Sequence, residues 1–134
     1  MAIGIIQKEL HGIIILELAG RLVLGQENMD FRAKIKEVLD NSDWFKEKWG
    51  WETRIVLDLG NVSFLGSAGL GALIAARISA MNRGAGMKLA NLTKKIKDQL
   101  HITKLVTVFD VYDSVEAAVN SFPQAITTTG TAPA

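Results

Sequence analysis

Ser67 is the residue of this sequence whose position best suits chemistry. It lies in the run GSAGLG (66–71), between a predicted buried strand, Arg54–Leu59, and a predicted helix that ends before Gly84. A hydroxyl at such a corner is a candidate nucleophile, a candidate helix cap and a candidate acceptor of a modifying group. The residues around it decide among these roles.

Three motifs that build a catalytic or phosphate-binding corner do not fit this run. The nucleophile elbow of hydrolases is Gly-x-Ser-x-Gly, but Leu65 stands two residues before the serine, and the only later histidine is His101. A Walker loop has four residues between its glycines and then a lysine, whereas five residues separate Gly60 from Gly66 and no lysine follows. The glycines of GSAGLG also come in the reverse order of the dinucleotide-binding pattern G-x-G-x-x-G. The sequence therefore predicts that Ser67 is not catalytic and that the protein is not an enzyme.

Two interpretations of the corner remain. Ser67 is a good N-cap, with Gly66 and Gly69 serving the turn and close packing of the helix on the sheet. Alternatively, the corner is a docking surface: glycines in a first helical turn cost about 0.5–1 kcal/mol relative to alanine, which disfavours Gly69 and Gly71 unless something approaches closely. We expect the outer face of the helix to be small and uncharged, as suits contact with another protein. Its expected members are Ala68, Ala72, Ala75, Ala76 and Ser79.

The composition excludes several other classes of function. The 134 residues are 49% hydrophobic with a net charge of +1, which fits one packed domain without strong attraction to nucleic acid. There are no cysteines and two histidines, so we expect no disulfide, no metal and no cofactor. The N-terminus lacks a signal-peptide pattern, and no apolar run reaches the ~18 residues of a membrane helix. We therefore expect a cytoplasmic protein.

The predicted order of elements is β-β-α-β-α-β-α-β-α. It indicates an α/β fold with a mixed, mostly parallel sheet of about five strands and about four helices. Apolar and β-branched runs predict the strands, which are Ile3–Glu9, Ile13–Leu18, Arg54–Leu59, Met87–Ala90 and Leu105–Phe109. The helices begin near Asn28, near Ser67, after a Thr93 cap and after a capping box formed by Asp113 and Glu116. We expect residues 1–122 to form the domain and residues 123–134 to be disordered.

The run VLDLGNVSFLGSAGLGALIAA resembles the signature of STAS domains, and among them of the bacterial anti-sigma factor antagonists. Further similar features are Leu18, Gly20 and Leu22 after the opening hairpin, the late Lys-Leu-Ala-Asn strand and the closing VFDVYDSVEAA. The resemblance covers roughly residues 3–122. It implies that Ser67 is the serine that a cognate anti-sigma factor with a histidine-kinase-like ATPase domain phosphorylates. It also implies partner switching, in which the unmodified protein binds the anti-sigma factor and phosphorylation breaks the complex.

The residues that we expect to bind the partner are Gly66, Ser67, Ala68, Gly69, Gly71, Ala72 and Ala75. One of them departs from the family pattern: the family usually has Asp directly before the serine, where this chain has Gly66. The departure leaves a second interpretation open, in which the protein is a STAS scaffold or transporter-associated subunit that binds constitutively, without phosphorylation. A third interpretation is a small-ligand or nucleotide-binding module that uses the helix start as an anion site.

The connection Asn41–Thr53 is a second departure, because it holds all three tryptophans, Trp44, Trp49 and Trp51. They are either an additional partner contact or a cover folded back over the end of the sheet. Self-association as a homodimer is a further interpretation, through these tryptophans or through the edge of the opening hairpin. Ser63 is a second hydroxyl in the loop before Ser67, and we expect no modification there.

Overall fold

The computed structural model describes residues 3–123. Its strands, in chain order, are β1 (Gly4–Leu10), β2 (Ile13–Leu22), β3 (Arg54–Leu65), β4 (Gly86–Ala90) and β5 (Val111–Tyr112). Its α-helices are α1 (Gln26–Asp40), α2 (Ser42–Trp49), α3 (Ser67–Asn82), α4 (Lys94–Ile102) and α5 (Val115–Ser121). This confirms the predicted α/β class and the five-stranded mixed sheet, with five α-helices rather than about four among the described residues.

The strands follow one another across the sheet in the order β1-β2-β3-β4-β5. β1 is antiparallel to β2, and the remaining neighbours are parallel. The β1–β2 hairpin turns at His11 and Gly12, which both have positive φ (53° and 77°), as a two-residue hairpin turn of the primed type requires. The second strand, predicted to end at Leu18, runs past Gly20, which lies at an irregularity in the β2–β3 register with φ 110°. β2 continues to Leu22.

The core is divided between the two faces of the sheet. The larger cluster lies beneath α1, α3 and α4 and includes Phe31, Leu57 and Leu73. The smaller cluster lies beneath α5 and includes Ile15, Val56 and Val119. Consecutive residues of β3 therefore bury side chains on opposite faces, and for this reason the strand reads in sequence as a continuous apolar run.

Two predicted elements were wrong. The segment Asn41–Thr53 contains a helix, α2, where we expected an irregular connection; it ends at Gly50 in the left-handed conformation. The segment Leu105–Phe109, expected to be the fifth strand, forms a 3₁₀ turn at Leu105–Thr107. The fifth strand, β5, begins at Val111, two residues after Phe109. Leu105, Val106 and Phe109 pack against the larger cluster from this turn, so their hydrophobic character is satisfied without strand pairing.

The three tryptophans of the segment Asn41–Thr53 lie in different surroundings. Trp49 and Trp51 stack with ring centroids 6.1 Å apart, and the Trp51 indole N–H donates to the Gly12 carbonyl at 3.3 Å. These two rings thus cover the hairpin turn at the end of the sheet, as one of the two interpretations predicted. Trp44 is exposed on α2.

The predicted disordered tail lies outside the described residues, apart from Pro123. Within residues 3–123, no helix has the length and apolar character needed to cross a membrane.

Candidate functional site

Ser67 is exposed at the first helical position of α3. The N-cap is the preceding Gly66, which has an extended backbone (φ −78°, ψ 175°), and no side chain caps this helix. The interpretation of Ser67 as the N-cap was therefore wrong by one position. Since Gly66 holds the cap position, Ser67 has no N-cap role, and its side chain is exposed.

Three neighbouring elements hold the corner before Ser67 in place. The Gly66 amide donates to the Leu22 carbonyl at the end of β2, at 3.1 Å. The Gln99 side chain of α4 binds both backbone groups of Leu65, at 2.7 Å through its amide nitrogen and 3.4 Å through its oxygen. The Asn28 side chain of α1 donates to the Ala68 carbonyl at 2.8 Å. The serine is thus presented on a backbone that is fixed from three sides.

The two glycines of the first turns have different surroundings. A methyl group added at Gly69 would overlap the carbonyl of Leu22, so this glycine lets α3 lie directly on the end of β2. A methyl group added at Gly71 would meet nothing within 4 Å. The close approach that we expected at both glycines is therefore made by the chain itself at Gly69, while the space over Gly71 is open.

The outer face of α3 is not the expected alanine surface. Ala72 and Ala76 are buried at 0% and 4% exposure, and Ala68 and Ala75 are half-buried. The small residues face the sheet and α1, because α3 packs against both and needs close contact on that side. The expectation that Ala72 lies on the partner-binding face was therefore wrong.

A stripe of larger residues takes the place of the alanines on the exposed side. Residues at i, i+4, i+7 and i+11 share one side of a helix, and from Ser67 these are Gly71, Ile74 and Ile78. Ile74 is half-buried and Ile78 is 50% exposed, with Met81 58% exposed beside them. The four positions of this outer stripe of α3 carry no charge themselves, and the one charged residue of α3, Arg77, lies at the border of the stripe with its guanidinium 2.9 Å from the Met81 sulfur. The sequence shows the same spacing, but there the large apolar residues indicate only a helical repeat.

Two cations lie close to the corner. The Arg21 guanidinium and the Lys95 ammonium lie 5.5 and 5.2 Å from the centroid of the Phe64 ring, within the range of cation–π contact. The ring in turn lies 3.6 Å from the position of a methyl group added at Gly66. The surface next to Ser67 is therefore apolar along α3 and positively charged towards β2 and α4.

The segment before Ser67, expected to be a loop, belongs to β3, and its polar residues have structural partners. The Asp58 carboxylate accepts from the Gly60 amide at 2.9 Å and from the Asn91 side chain at 3.2 Å, and so links the middle of β3 to the residue that follows β4. The Ser63 hydroxyl donates to the Gly20 carbonyl at 3.3 Å. Within residues 3–123, no three histidine, aspartate or glutamate side chains are grouped so that they could hold a metal ion.

A family model described as the STAS domain matches residues 5–118. Among solved structures, the chain is similar to an anti-sigma factor antagonist from Mycobacterium paratuberculosis, with 21% identity, a TM-score of 0.73 and coverage of 89% of this chain and 92% of that one. It is similar to the Bacillus cell fate determinant SpoIIAA in its phosphorylated form, with 17% identity, a TM-score of 0.62 and coverage of 87% and 97%. It is also similar to a sulfate transporter family protein from Wolinella succinogenes, with 19% identity, a TM-score of 0.63 and coverage of 81% and 83%. At these identities the three structures share the fold.

Proposed function

This chain belongs to the STAS domain family, and from that premise we propose that it is a non-enzymatic regulator of the anti-sigma factor antagonist type, switched by phosphorylation of Ser67. One observation carries the proposal: Ser67 is exposed at the start of α3, at the head of the uncharged outer stripe. Similar solved structures include anti-sigma factor antagonists, and one of them, SpoIIAA, is phosphorylated. We place this function in the cytoplasm.

The proposed partner is an anti-sigma factor with a histidine-kinase-like ATPase domain. It covers Ser67, Gly71, Ile74 and Ile78, because exposed apolar side chains with open space over a glycine favour close contact with another protein. Arg21 and Lys95 at the edge of this surface favour acidic groups on the partner. In the phosphorylation step, the Ser67 oxygen attacks the γ-phosphorus of ATP, its proton passes to a base of the kinase, and ADP leaves.

Phosphorylation separates the partners for an electrostatic reason. A phosphoserine adds about −1.5 to −2 charges to a surface that is apolar along α3. Covering that charge without a partner costs several kcal/mol, and each ~1.4 kcal/mol lowers affinity tenfold. The positive end of the α3 dipole tolerates the phosphate in the free protein, an effect worth about 0.3–1 kcal/mol. The modified protein therefore stays folded while its complex weakens.

Gly66 determines which side supplies the catalytic groups. Glycine has no carboxylate with which to position the acceptor hydroxyl or a magnesium ion. The chain instead fixes the backbone at Leu65 and Gly66, through Gln99 and Leu22. The kinase must therefore supply the carboxylate that positions the serine oxygen or a magnesium ion.

The test uses the purified chain, Mg-ATP and the candidate anti-sigma factor. We expect intact mass to rise by one phosphate, and we expect no rise for Ser67→Ala. Neither Ser67→Asp nor Ser67→Ala can be phosphorylated at this position. We expect Ser67→Asp to bind the anti-sigma factor at least tenfold more weakly than Ser67→Ala, and we expect both variants to melt near the temperature of the unmodified protein. Phosphate on the Ser67→Ala variant, or equal affinity of the two variants, would contradict the switch.

A second candidate is a STAS module that binds constitutively as a scaffold or a transporter-associated subunit. It is favoured by Gly66 in place of the family's aspartate and by the similarity to the transporter family protein from Wolinella succinogenes. In that case the outer stripe of α3 still binds a partner, but no kinase modifies it. The two candidates therefore differ in the mass measurement, while Ile78→Asp should abolish binding in both.

A further inference from the structure

A cleft of about 350 Å³ lies between α1 and α3, on the side of α3 next to the outer stripe. The two helices are joined at both ends of it. At one end, Arg83 donates to the Leu39 carbonyl at 2.9 Å and to the Asp40 carboxylate at 2.8 Å. At the other end, Asn28 reaches the Ala68 carbonyl. The cleft lies between these two sets of contacts.

Alanines leave the space between the two contacts unfilled. On the α3 side the cleft is lined by Ala75 and Ser79, which are partly or fully exposed, and by the buried Ala72 and Ala76, and these side chains are too short to reach across it. The floor is apolar, with Phe31 and Ile35 of α1 buried beneath the cleft. The cleft is open to solvent, and its volume falls within the ~300–1,000 Å³ of small-molecule sites.

The charged residues that line the cleft are all cations: Arg32, Lys36 and Arg83. The Arg32 Nε donates to the Asn28 side chain at 2.6 Å, which orients a guanidinium that carries four further N–H donors. Lys36 and Arg83 share one carboxylate, Asp40, and their hydrogen bonds to it hold the pKa of Asp40 below its ordinary value. Three cations and one carboxylate leave an excess of two positive charges at the rim.

We propose that this cleft binds a small amphiphile with one anionic head, a carboxylate or a phosphate, and a compact apolar body. The head binds Arg32 and Lys36 at the rim, because a fork of N–H donors beside an ammonium matches both kinds of oxyanion. The apolar body of the ligand lies against Ala75, above the buried floor of the cleft. Asn28 is hydrogen-bonded to both Arg32 and the Ala68 carbonyl. A ligand bound to Arg32 is therefore connected through Asn28 to the backbone of the residue next to Ser67. The site does not depend on whether Ser67 is phosphorylated.

The probes are decanoate, decyl phosphate, decanol and decyltrimethylammonium, each below its micelle concentration. They are titrated into the full chain by calorimetry and by amide NMR. We expect saturable one-to-one binding of at least one anion, with shifts centred on Arg32, Ala75 and Ser79, and at least tenfold weaker binding of the alcohol and the cation. The ratio of the two anions distinguishes a carboxylate ligand from a phosphate ligand. Binding of decanol as tight as that of either anion would refute the proposal, as would the absence of saturable binding by both anions.

Variants locate the site. Arg32→Gln with Lys36→Gln should weaken anion binding at least tenfold, whereas Lys94→Ala with Lys97→Ala removes two charges from α4 and should leave it unchanged. Ala75→Leu fills the cleft from a half-buried position, keeps the charges and should also abolish binding. Thermal melting checks that each variant is folded. Equal losses in the α1 and α4 pairs would show attraction to net charge alone and contradict a site in the cleft.

Discussion

Gly69 and Gly71 lie two residues apart in α3 and should respond in opposite ways to the same substitution. Gly69→Ala places a methyl group against the Leu22 carbonyl, which is backbone and cannot rotate away. We expect it to lower the free energy of unfolding by about 1–3 kcal/mol, the usual range for an overpacked site. Gly71→Ala meets open space and replaces a poor helix former, so we expect a gain of about 0.5–1 kcal/mol. Urea unfolding of the two variants measures both values.

Gly71→Ala also separates folding from binding. If a partner closes over the outer stripe of α3, the added methyl group occupies part of its contact, and the stabilised variant should bind more weakly. A variant that is more stable and binds equally well would show that the partner does not approach Gly71. A Gly69→Ala protein as stable as the unmodified chain would contradict the packing of α3 on β2.

At the scale of elements, the start of α5 offers a matched pair of neighbouring residues. The sequence predicted Asp113 as its cap, but the Ser114 hydroxyl accepts from the Ala117 amide at 3.0 Å, and Asp113 is an exposed residue 3.7 Å from Lys97. We expect Ser114→Ala to cost about 1 kcal/mol, since it removes a cap bond. Asp113→Ala should cost less, because an exposed ion pair contributes little. Chemical denaturation that ranks the two in the reverse order would restore Asp113 as the cap.

The elements that the sequence predicted well are those whose pattern has a single explanation. β3 is apolar on both faces because helices cover both, and no exposed segment of this length has that composition. The sequence does not predict α2, because its helical stripe is short and tryptophans at this spacing are equally compatible with an irregular loop. The run Leu105–Phe109 satisfies a strand pattern and a packed turn equally well. Only the position of the larger cluster decides between these two.

The candidate site was predicted in position but not in orientation. A lone serine among glycines after a buried strand locates the corner, and the structure places Ser67 there, exposed. The rotation of α3 could not be derived, because this helix has apolar residues all round and its pattern has no polar face to set the direction. The packing on the sheet decides it: Gly69 lies against the Leu22 carbonyl, and Ala72 and Ala76 are buried on the same side of α3. Ile78 is left outside for that reason.

At the scale of the whole molecule, the residue of the proposed switch and the most deeply buried part of β3 are separate parts of the chain. The first half of β3 pairs with β2 on one side and β4 on the other, and Ile55, Val56 and Leu57 are fully buried. Ser67 lies two residues beyond the end of the same strand. Ser67 is therefore anchored to a central strand of the sheet while it remains at the surface.

This arrangement predicts the pattern of amide hydrogen exchange. Amides of Arg54–Asp58 should exchange only through global unfolding, since both ladders must open to release them, whereas amides of the edge strand β1 should exchange faster. Ser67→Asp should leave exchange in Arg54–Asp58 unchanged, because its charge lies at the positive end of α3. Leu57→Ala is the positive control: a buried cavity costs about 2–5 kcal/mol and should speed exchange there more than tenfold. If Ser67→Asp behaved like Leu57→Ala, phosphorylation would act by unfolding the domain, and release of the partner by local repulsion at α3 would be wrong.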